Sequence, residues 1–304
     1  VTYGGPVLFV ATSDGIRGQD GSAELGGHRV RALATDGGGW WAIVDGHEVY
    51  RRPDGGAWAP AARSSEPLTC LAPLDEGGLL LGAAGARLHL FRAPGSLDPV
   101  ESFDRAPGRE EWYTPWGGPP DTRSLAVAGD GTLYVNVHVG GILRSADQAR
   151  SWAVTIDLHA DVHQVVCPRP GQAQLVLAAC ADGLAVSEDA GSTWVLREVG
   201  LRRTYCRAVA VAGDTVLVSA SDGPGGSHAA VYRAPLKGCE RFERCRRGLP
   251  EWFEGNIDTG WLVGTDGLAA FVGPDGRLYR SEDEGGTWEQ AGEDLGEPSW
   301  LLAT

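Results

Sequence analysis

Apolar residues in this chain come in short runs that end at glycine or aspartate turns, which is the pattern of strands joined by tight connections. Three runs open with the same string: Arg31-Ala-Leu-Ala, Arg123-Ser-Leu-Ala and Arg207-Ala-Val-Ala. Equivalent runs stand at Leu68 to Pro73, His163 to Cys167, Ile257 to Val263 and Ser299 to Thr304. Their separation of about 40 to 50 residues is that of inner strands in a repeated four-stranded unit. Units over 28–62, 66–102, 121–154, 161–197, 204–244 and 256–290 each have room for four strands. A seventh closes if Ser299–Thr304 pairs with outer strands at Val7–Thr12, Gly15–Gly18 and about Ser22–Leu25, which removes the exposed sheet edge. The expected fold is all-β: a β-propeller of seven four-stranded blades forming a single domain over 1–304, closed by pairing of the N- and C-termini.

Between strands, one octapeptide recurs. Ser281 to Trp288 reads SEDEGGTW, Ser187 to Trp194 reads SEDAGSTW, and Ser145 to Trp152 reads SADQARSW. In each, the Asp carboxylate is placed to accept backbone N–H groups further along the turn, and the Gly supplies a positive φ. The closing Trp buries a large ring against the sheet. The third copy keeps Ser145, Asp147, Ser151 and Trp152 but has Ala149 in place of the Gly.

These octapeptides resemble Asp-boxes, or BNR repeats, found in sialidases, other propeller glycosidases, sortilin-type receptors and photosystem assembly factors. The resemblance implies that the turns are structural and lie away from the active face, so Asp189 and Asp283 are not catalytic acids. Over roughly Glu111 to Leu301 the chain is most similar to bacterial seven-bladed YVTN/BNR-like propellers of the sialidase/glycosidase-like type. That pattern has Glu-Trp ahead of an inner strand and polar inner-strand residues. His163 matches a His of the pattern, whereas Arg123 stands where a His is more usual. The Arg-Ile-Pro signature of sialidases is absent, so no sialidase residue is carried over.

Composition bounds the function more than it defines it. With 304 residues, 45 Gly, 11 Trp and no Met, the chain suits one large β-repeat domain. No apolar run approaches the roughly 20 residues of a membrane-spanning helix. A net charge of −14 argues against nucleic acid or an anionic membrane as partner. The six cysteines (Cys70, Cys167, Cys180, Cys206, Cys239, Cys245) lack zinc-like spacing, which suggests reduced thiols and a cytoplasmic chain. Only Cys239 and Cys245 are candidates to pair. No secretory leader precedes Val1, although a trimmed leader would leave no trace.

Two connections exceed simple links: 103–120, with Glu111-Trp112-Tyr113, and 246–255, with Glu251-Trp252-Phe253. Both join an outer strand to the next inner strand, on the face where propellers usually bind ligands. Their indoles can stack on a ligand or pack against a blade. Aligning the inner runs puts Arg31, Thr69, Arg123, His163, Arg207 and Asp258 at one level. Asp121, Asp161, Tyr205 and Asn256 stand two residues earlier on the same side. Such a set either neutralises itself as an ion-pair network or forms a positive funnel for a carboxylate or phosphate.

His159, Asp161 and His163 alternate as ligands would on one strand, but they spread over ~13 Å, too far for all three to meet one ion without a bulge. Two of them with Asp121 or Tyr205 would meet one more easily. A hydrogen-bonded histidine is the favoured reading, and no metal and no cofactor is expected. There is no G-x-S-x-G elbow, Walker loop or H-E-x-x-H. Two functions compete. The first is binding of a small polar or anionic ligand, most plausibly a sugar or sugar acid, held by Arg31, Arg123, Arg207, Tyr205, Asp121, Asp161, Trp112 and Trp252. Hydrolysis in that site would fall to Glu111, Glu251, Asp258 and His163, since a glycosidase needs two carboxyls ~5–9.5 Å apart. The second is a non-enzymatic scaffold that grips a protein partner with an Arg-lined face.

Overall fold

The computed structural model describes residues 6–74, 78–92, 95–168, 173–293 and 295–304. Its strands form seven four-stranded antiparallel sheets, so the protein is a seven-bladed all-β propeller. Blade 2 comprises Val30–Thr35, Gly39–Val44, Glu48–Pro53 and Ala59–Arg63, and blades 3 to 7 follow with the same meander. Blade 1 takes its inner strand, Pro298–Ala303, from the C-terminal segment; it pairs antiparallel with Leu8–Thr12 in the register Leu8 to Ala303 and Val10 to Leu301. Gly15–Gly18 and Ala23–Glu24 complete that blade. The expected closure is therefore present. Among the described residues no helix is long and apolar enough to cross a membrane, which says nothing of spanning strands.

The described chain gathers into two compact units. One holds Arg31–Ala178 with Ala185–Val195, and so contains blades 2, 3 and 4; the other holds Val1–Val30, Ala179–Leu184 and Leu196–Thr304, with blades 6, 7 and 1. The strands of blade 5 are divided between the two. Each unit has its own apolar clusters, for instance Phe103, Trp112, Val135 and Trp152 in the first and Ile257, Phe271, Tyr279 and Trp288 in the second. Middle strands such as Gly39–Val44, Leu79–Ala83 and Leu133–Val137 are buried at every residue, because both of their faces are covered.

One predicted strand is corrected. The run from Ile257 to Val263 is strand only over Leu262–Gly264. Before it, the chain turns at Asp258–Trp261 through a Trp261 N–H to Asp258 carbonyl bond of 2.9 Å, with Gly260 at φ +78°. Likewise His159 lies in a turn closed by Ala160 N–H on the Asp157 carbonyl, and the strand starts only at Val162. The extended His159–Asp161–His163 array is thus broken by that turn.

All three octapeptides make the same turn. In the last, Asp283 Oδ1 accepts from Thr287 N–H (2.7 Å) and Ser281 Oγ (2.8 Å), Oδ2 accepts from Thr287 Oγ1 (2.8 Å), and Gly285 N–H donates to Ser281 Oγ (2.9 Å). Asp189 repeats these bonds with Thr193 and Ser187. Asp147 repeats them with Ser151 and Ser145 even though Ala149 must take φ +64°. The anchoring ring does not follow motif quality: Trp288 and Trp152 are buried, whereas Trp194 of the well-formed second copy is only half-buried. Trp288 also holds the neighbouring long connection, since its N–H donates to the Arg247 carbonyl (2.9 Å). Gly248 (φ +81°) passes so close that a Cβ there would lie 1.7 Å from the Trp288 carbonyl oxygen.

These contacts set two expectations. Trp288→Ala should cost about 3–5 kcal/mol, as for other buried large aromatics, and Trp194→Ala roughly half as much; urea unfolding of both variants checks the order. The second concerns acid. The Ser151 hydroxyl and N–H, with Ser145, hold the Asp147 carboxyl at about 2 against an ordinary 3.8. Asp189 is lowered first by the Thr193 hydroxyl; at Asp283 burial pushes upward but is overridden by bonds from Thr287 and Ser281. A carboxyl with a depressed folded pKa stabilises fully above its unfolded value and loses that contribution as pH falls through the folded one. The difference in unfolding midpoint between the wild type and Asp147→Asn should therefore be largest above pH 3.8 and close towards pH 2.

Candidate functional site

Inner-strand polar groups largely find partners on the adjacent inner strand. Arg31 Nε donates to the Thr69 carbonyl (3.3 Å), and Thr69 Oγ1 donates to the Thr122 carbonyl (2.5 Å). Ser124 Oγ accepts the Val165 N–H (2.9 Å). In the other unit Thr259 Oγ1 donates to the Arg207 carbonyl (3.0 Å).

The arginines divide along the same lines. Arg207 Nε lies 2.8 Å from Asp258 Oδ1, Nη2 makes a second bond to the same oxygen, and Nη1 is 3.4 Å from the Tyr205 hydroxyl. Burial lowers the Arg207 pKa, yet Asp258 more than offsets this and raises it overall, so the guanidinium stays charged and engaged. Asp258, expected as a catalytic carboxyl, is thereby occupied by Arg207 and the Thr259 N–H (3.1 Å). Arg123 Nη1 lies 3.4 Å from Asp161 Oδ1, and His163 Nε2 lies 3.4 Å from Asp161 Oδ2. Asp121 receives the Gly85 N–H (3.2 Å), and Arg31 stays exposed beside its carbonyl partner. Two of the three expected anion-gripping arginines are thus carboxylate-paired, in the manner of the ion-pair network.

What the sequence did not single out gathers at Asp161. His138, buried in the turn after Leu133–Val137, packs edge-to-face with Trp116 at 4.6 Å, and the Trp116 indole is 74% exposed. The connection 103–120 is fixed there by Tyr113, whose N–H and carbonyl pair with those of Val139 at 3.0 and 3.2 Å. Val139 in turn bridges to Asp161. At Asp161 burial pushes the carboxyl up, but the His163 bond and the charges of His163, Arg123 and His138 hold it below the ordinary range. One unit thus brings Arg123, Asp161 and His163 together with the missed His138 and Trp116. The only sequence signal for Trp116 was its place in an overlong connection.

Trp112, expected as a stacking surface, is instead packed: it lies 5.4 Å from Phe103, under the Arg109 guanidinium (5.0 Å) and 8% exposed. A short helix, Glu101–Asp104, and a turn of 3₁₀ helix, Arg109–Glu111, turn its ring inward, and Glu111 ends that turn exposed to solvent. Trp252 behaves differently. It is half-buried, with Arg244 Cζ 3.9 Å and Arg202 Cζ 5.2 Å from its ring, and His228 edge-on at 5.8 Å. It borders a cleft of about 600 Å³ that Glu251 also lines, and a second of about 490 Å³ with Glu254, Asp275 and Arg277. Glu111 and Glu251 belong to different units, and among the described residues no three His, Cys, Asp or Glu side chains are arranged to hold a metal ion. Cys239 and Cys245 are not joined in a disulfide, and neither are the other four cysteines.

No family model matches this sequence, and no curated protein matches it. Solved structures do. An ancestral GH74 enzyme superposes with a TM-score of 0.64 at 14% identity, over 90% of this chain and 38% of its own. The GH74 xyloglucanase from Xanthomonas campestris gives 0.63 at 18%, over 94% of this chain and 47% of its own. YCF48 bound to D1 peptide gives 0.59 at 15%, over 95% and 86%. At such identities the likeness establishes the fold alone. The chain spans less than half the length of the two GH74 enzymes.

Opposite roles for the two indoles are testable. Trp112→Ala should cost about 3–5 kcal/mol in urea unfolding, while Trp252→Ala should cost about 1 kcal/mol, the order of an exposed cation–π contact.

Proposed function

We propose that this propeller binds a small polar, ring-bearing ligand, of the carbohydrate class, against Trp116 and His138, and that it binds without hydrolysing. The carrying observation is the exposed Trp116 indole standing edge-on to His138, in the unit that groups Arg123, Asp161 and His163. An indole face takes the apolar face of a sugar ring. Asp161 and Arg123 supply charged hydrogen-bonding groups for hydroxyls or a sugar carboxylate, stronger than neutral ones. Structural neighbours include a xyloglucanase, which is in keeping with this reading.

Two features favour binding over hydrolysis. A glycosidase acid must keep its proton near neutrality, so its pKa is raised. At Asp161, the carboxyl beside Arg123 and His163, burial pushes upward but the His163 bond and the neighbouring charges hold it below the ordinary range, the opposite of what an acid needs. Asp258 is also engaged by Arg207. We further propose that the octapeptide turns are Asp-boxes of the BNR type and that the protein works in the cytoplasm, in keeping with six cysteines that form no disulfide.

One observation favours the scaffold reading: Leu196 and Val199 are exposed apolar residues near the outer strand of blade 5, at 47% and 54%. A partner protein would cover them. YCF48 is a propeller of this fold with a peptide bound.

Calorimetric titration with xyloglucan oligosaccharides and with oligogalacturonates tests the ligand reading. Saturable binding is expected for at least one. Trp116→Ala should weaken it roughly tenfold, about 1.4 kcal/mol, with an unchanged unfolding midpoint because the ring is exposed. No reducing ends should be released. Absence of saturable heat with both series would remove the proposal, and release of reducing ends would overturn its non-hydrolytic part.

A further inference from the structure

The larger cleft beside Trp252 shares no residue with the group around Asp161 and carries different chemistry. It lies along blade 6, between the outer strand Glu243–Arg244, the connection 246–255 and Arg202. Four arginines line it: Arg202, Arg241, Arg244 and Arg246. Among the described lining residues the acids are Glu243 and Glu251, so the lining carries two more basic than acidic side chains in a chain of net charge −14. Such a local reversal needs a reason, because like charges crowded together repel.

Two of the guanidinium groups are fixed in advance. Arg244 lies face-on to Trp252 at 3.9 Å, and its Nη1 donates to the Glu251 carbonyl (2.9 Å). Arg202 is held by Asp222, which also lies 3.7 Å from Arg203 and 2.7 Å from His228 Nδ1, so one carboxylate is shared by two arginines. The loop that carries Trp252 is itself tied down, by Phe253 paired with Ala229 in both directions at 2.9 Å. Arg241 and Arg246 are exposed, and neither has an ion pair among the described residues. Two braced guanidinium groups, and two with no ion pair among the described residues, line one cleft of about 600 Å³, a lining whose chemistry suits an oxyanion.

The charge selects the anion. A carboxylate brings one negative charge, whereas a phosphate monoester brings about −1.5 to −2 at neutral pH and three acceptor oxygens. The latter matches the excess of the lining and offers three acceptor oxygens to its guanidinium donors. Trp252 is already flanked by guanidinium groups, so affinity should come from the phosphoryl group more than from ring stacking. We propose that this cleft binds the phosphate monoester of a small molecule.

Calorimetry at constant salt with glucose 6-phosphate, inorganic phosphate and glucuronate tests this. Glucose 6-phosphate should bind saturably and at least tenfold more tightly than glucuronate. Inorganic phosphate binding as tightly as the sugar phosphate would still support the oxyanion site and would assign it to free phosphate. The double variant Arg241→Gln/Arg246→Gln changes exposed side chains and should weaken phosphate binding at least tenfold with an unaltered unfolding midpoint. Arg105→Gln/Arg150→Gln, which removes the same charge elsewhere, should leave binding as it was. The proposal is overturned if neither phosphate probe saturates, if glucuronate binds equally well, or if both double variants weaken binding alike. A phosphoserine peptide that binds when both small phosphates do not would overturn the small-molecule assignment in favour of a protein partner.

Discussion

The interaction on which most else depends is the hand-over of polar groups from one inner strand to the next. Inner strands are crowded and partly cut off from water, so an unpaired polar side chain there would cost about 1–3 kcal/mol. Thr69 on the Thr122 carbonyl, Ser124 under the Val165 N–H and Thr259 on the Arg207 carbonyl meet that demand in the same way. Arg207 with Asp258 and Arg123 with Asp161 extend it to charge. A side chain used in this way is committed to its neighbour, and at Asp161 the His163 bond and the Arg123 charge outweigh burial and hold the carboxyl below the ordinary range.

That constraint moves the functional interest outward to the connections. The two Glu-Trp connections share a device, since the aromatic residue after each Trp pairs its backbone with a turn that carries a histidine: Tyr113 with Val139 after His138, and Phe253 with Ala229 after His228. They then diverge. In the first, a short helix and a 3₁₀ turn bring Phe103 and Arg109 over Trp112, which sinks into the core and leaves Trp116 to face solvent. In the second, Trp252 stays between guanidinium groups at the edge of two clefts.

The octapeptide turns act at one remove. Trp288 packs against Phe271 (5.0 Å) and at the same time receives the connection that bears Trp252, through Arg247 and the close passage of Gly248. Turn, core ring and cleft wall are therefore one mechanical series.

Repetition made the fold legible. Inner-strand runs such as Arg123-Ser-Leu-Ala, Gly-rich turns and the octapeptides are local signals, and each blade solves the same burial problem with the same pattern, so both the seven blades and the closure through Pro298–Ala303 could be read directly. Even the turn around Ala149 was legible, because Asp147 and its serines suffice to hold it against an unfavourable φ. The site was not legible to the same degree. Alignment placed Arg123, Arg207, Asp161 and Asp258 at comparable levels, but whether a charge is spent on its neighbour depends on distances of a few ångströms across strands that sequence spacing does not contain. Trp112 and Trp252 sit in the same local motif, and only what packs over each ring, Phe103 and Arg109 of its own connection in the first and Arg202 and Arg244 in the second, makes one core and the other cleft wall. Trp116 with His138, and the four arginines around Trp252, are likewise products of folding, because residues on separate connections and turns become neighbours only once the blades have set the ends of their strands.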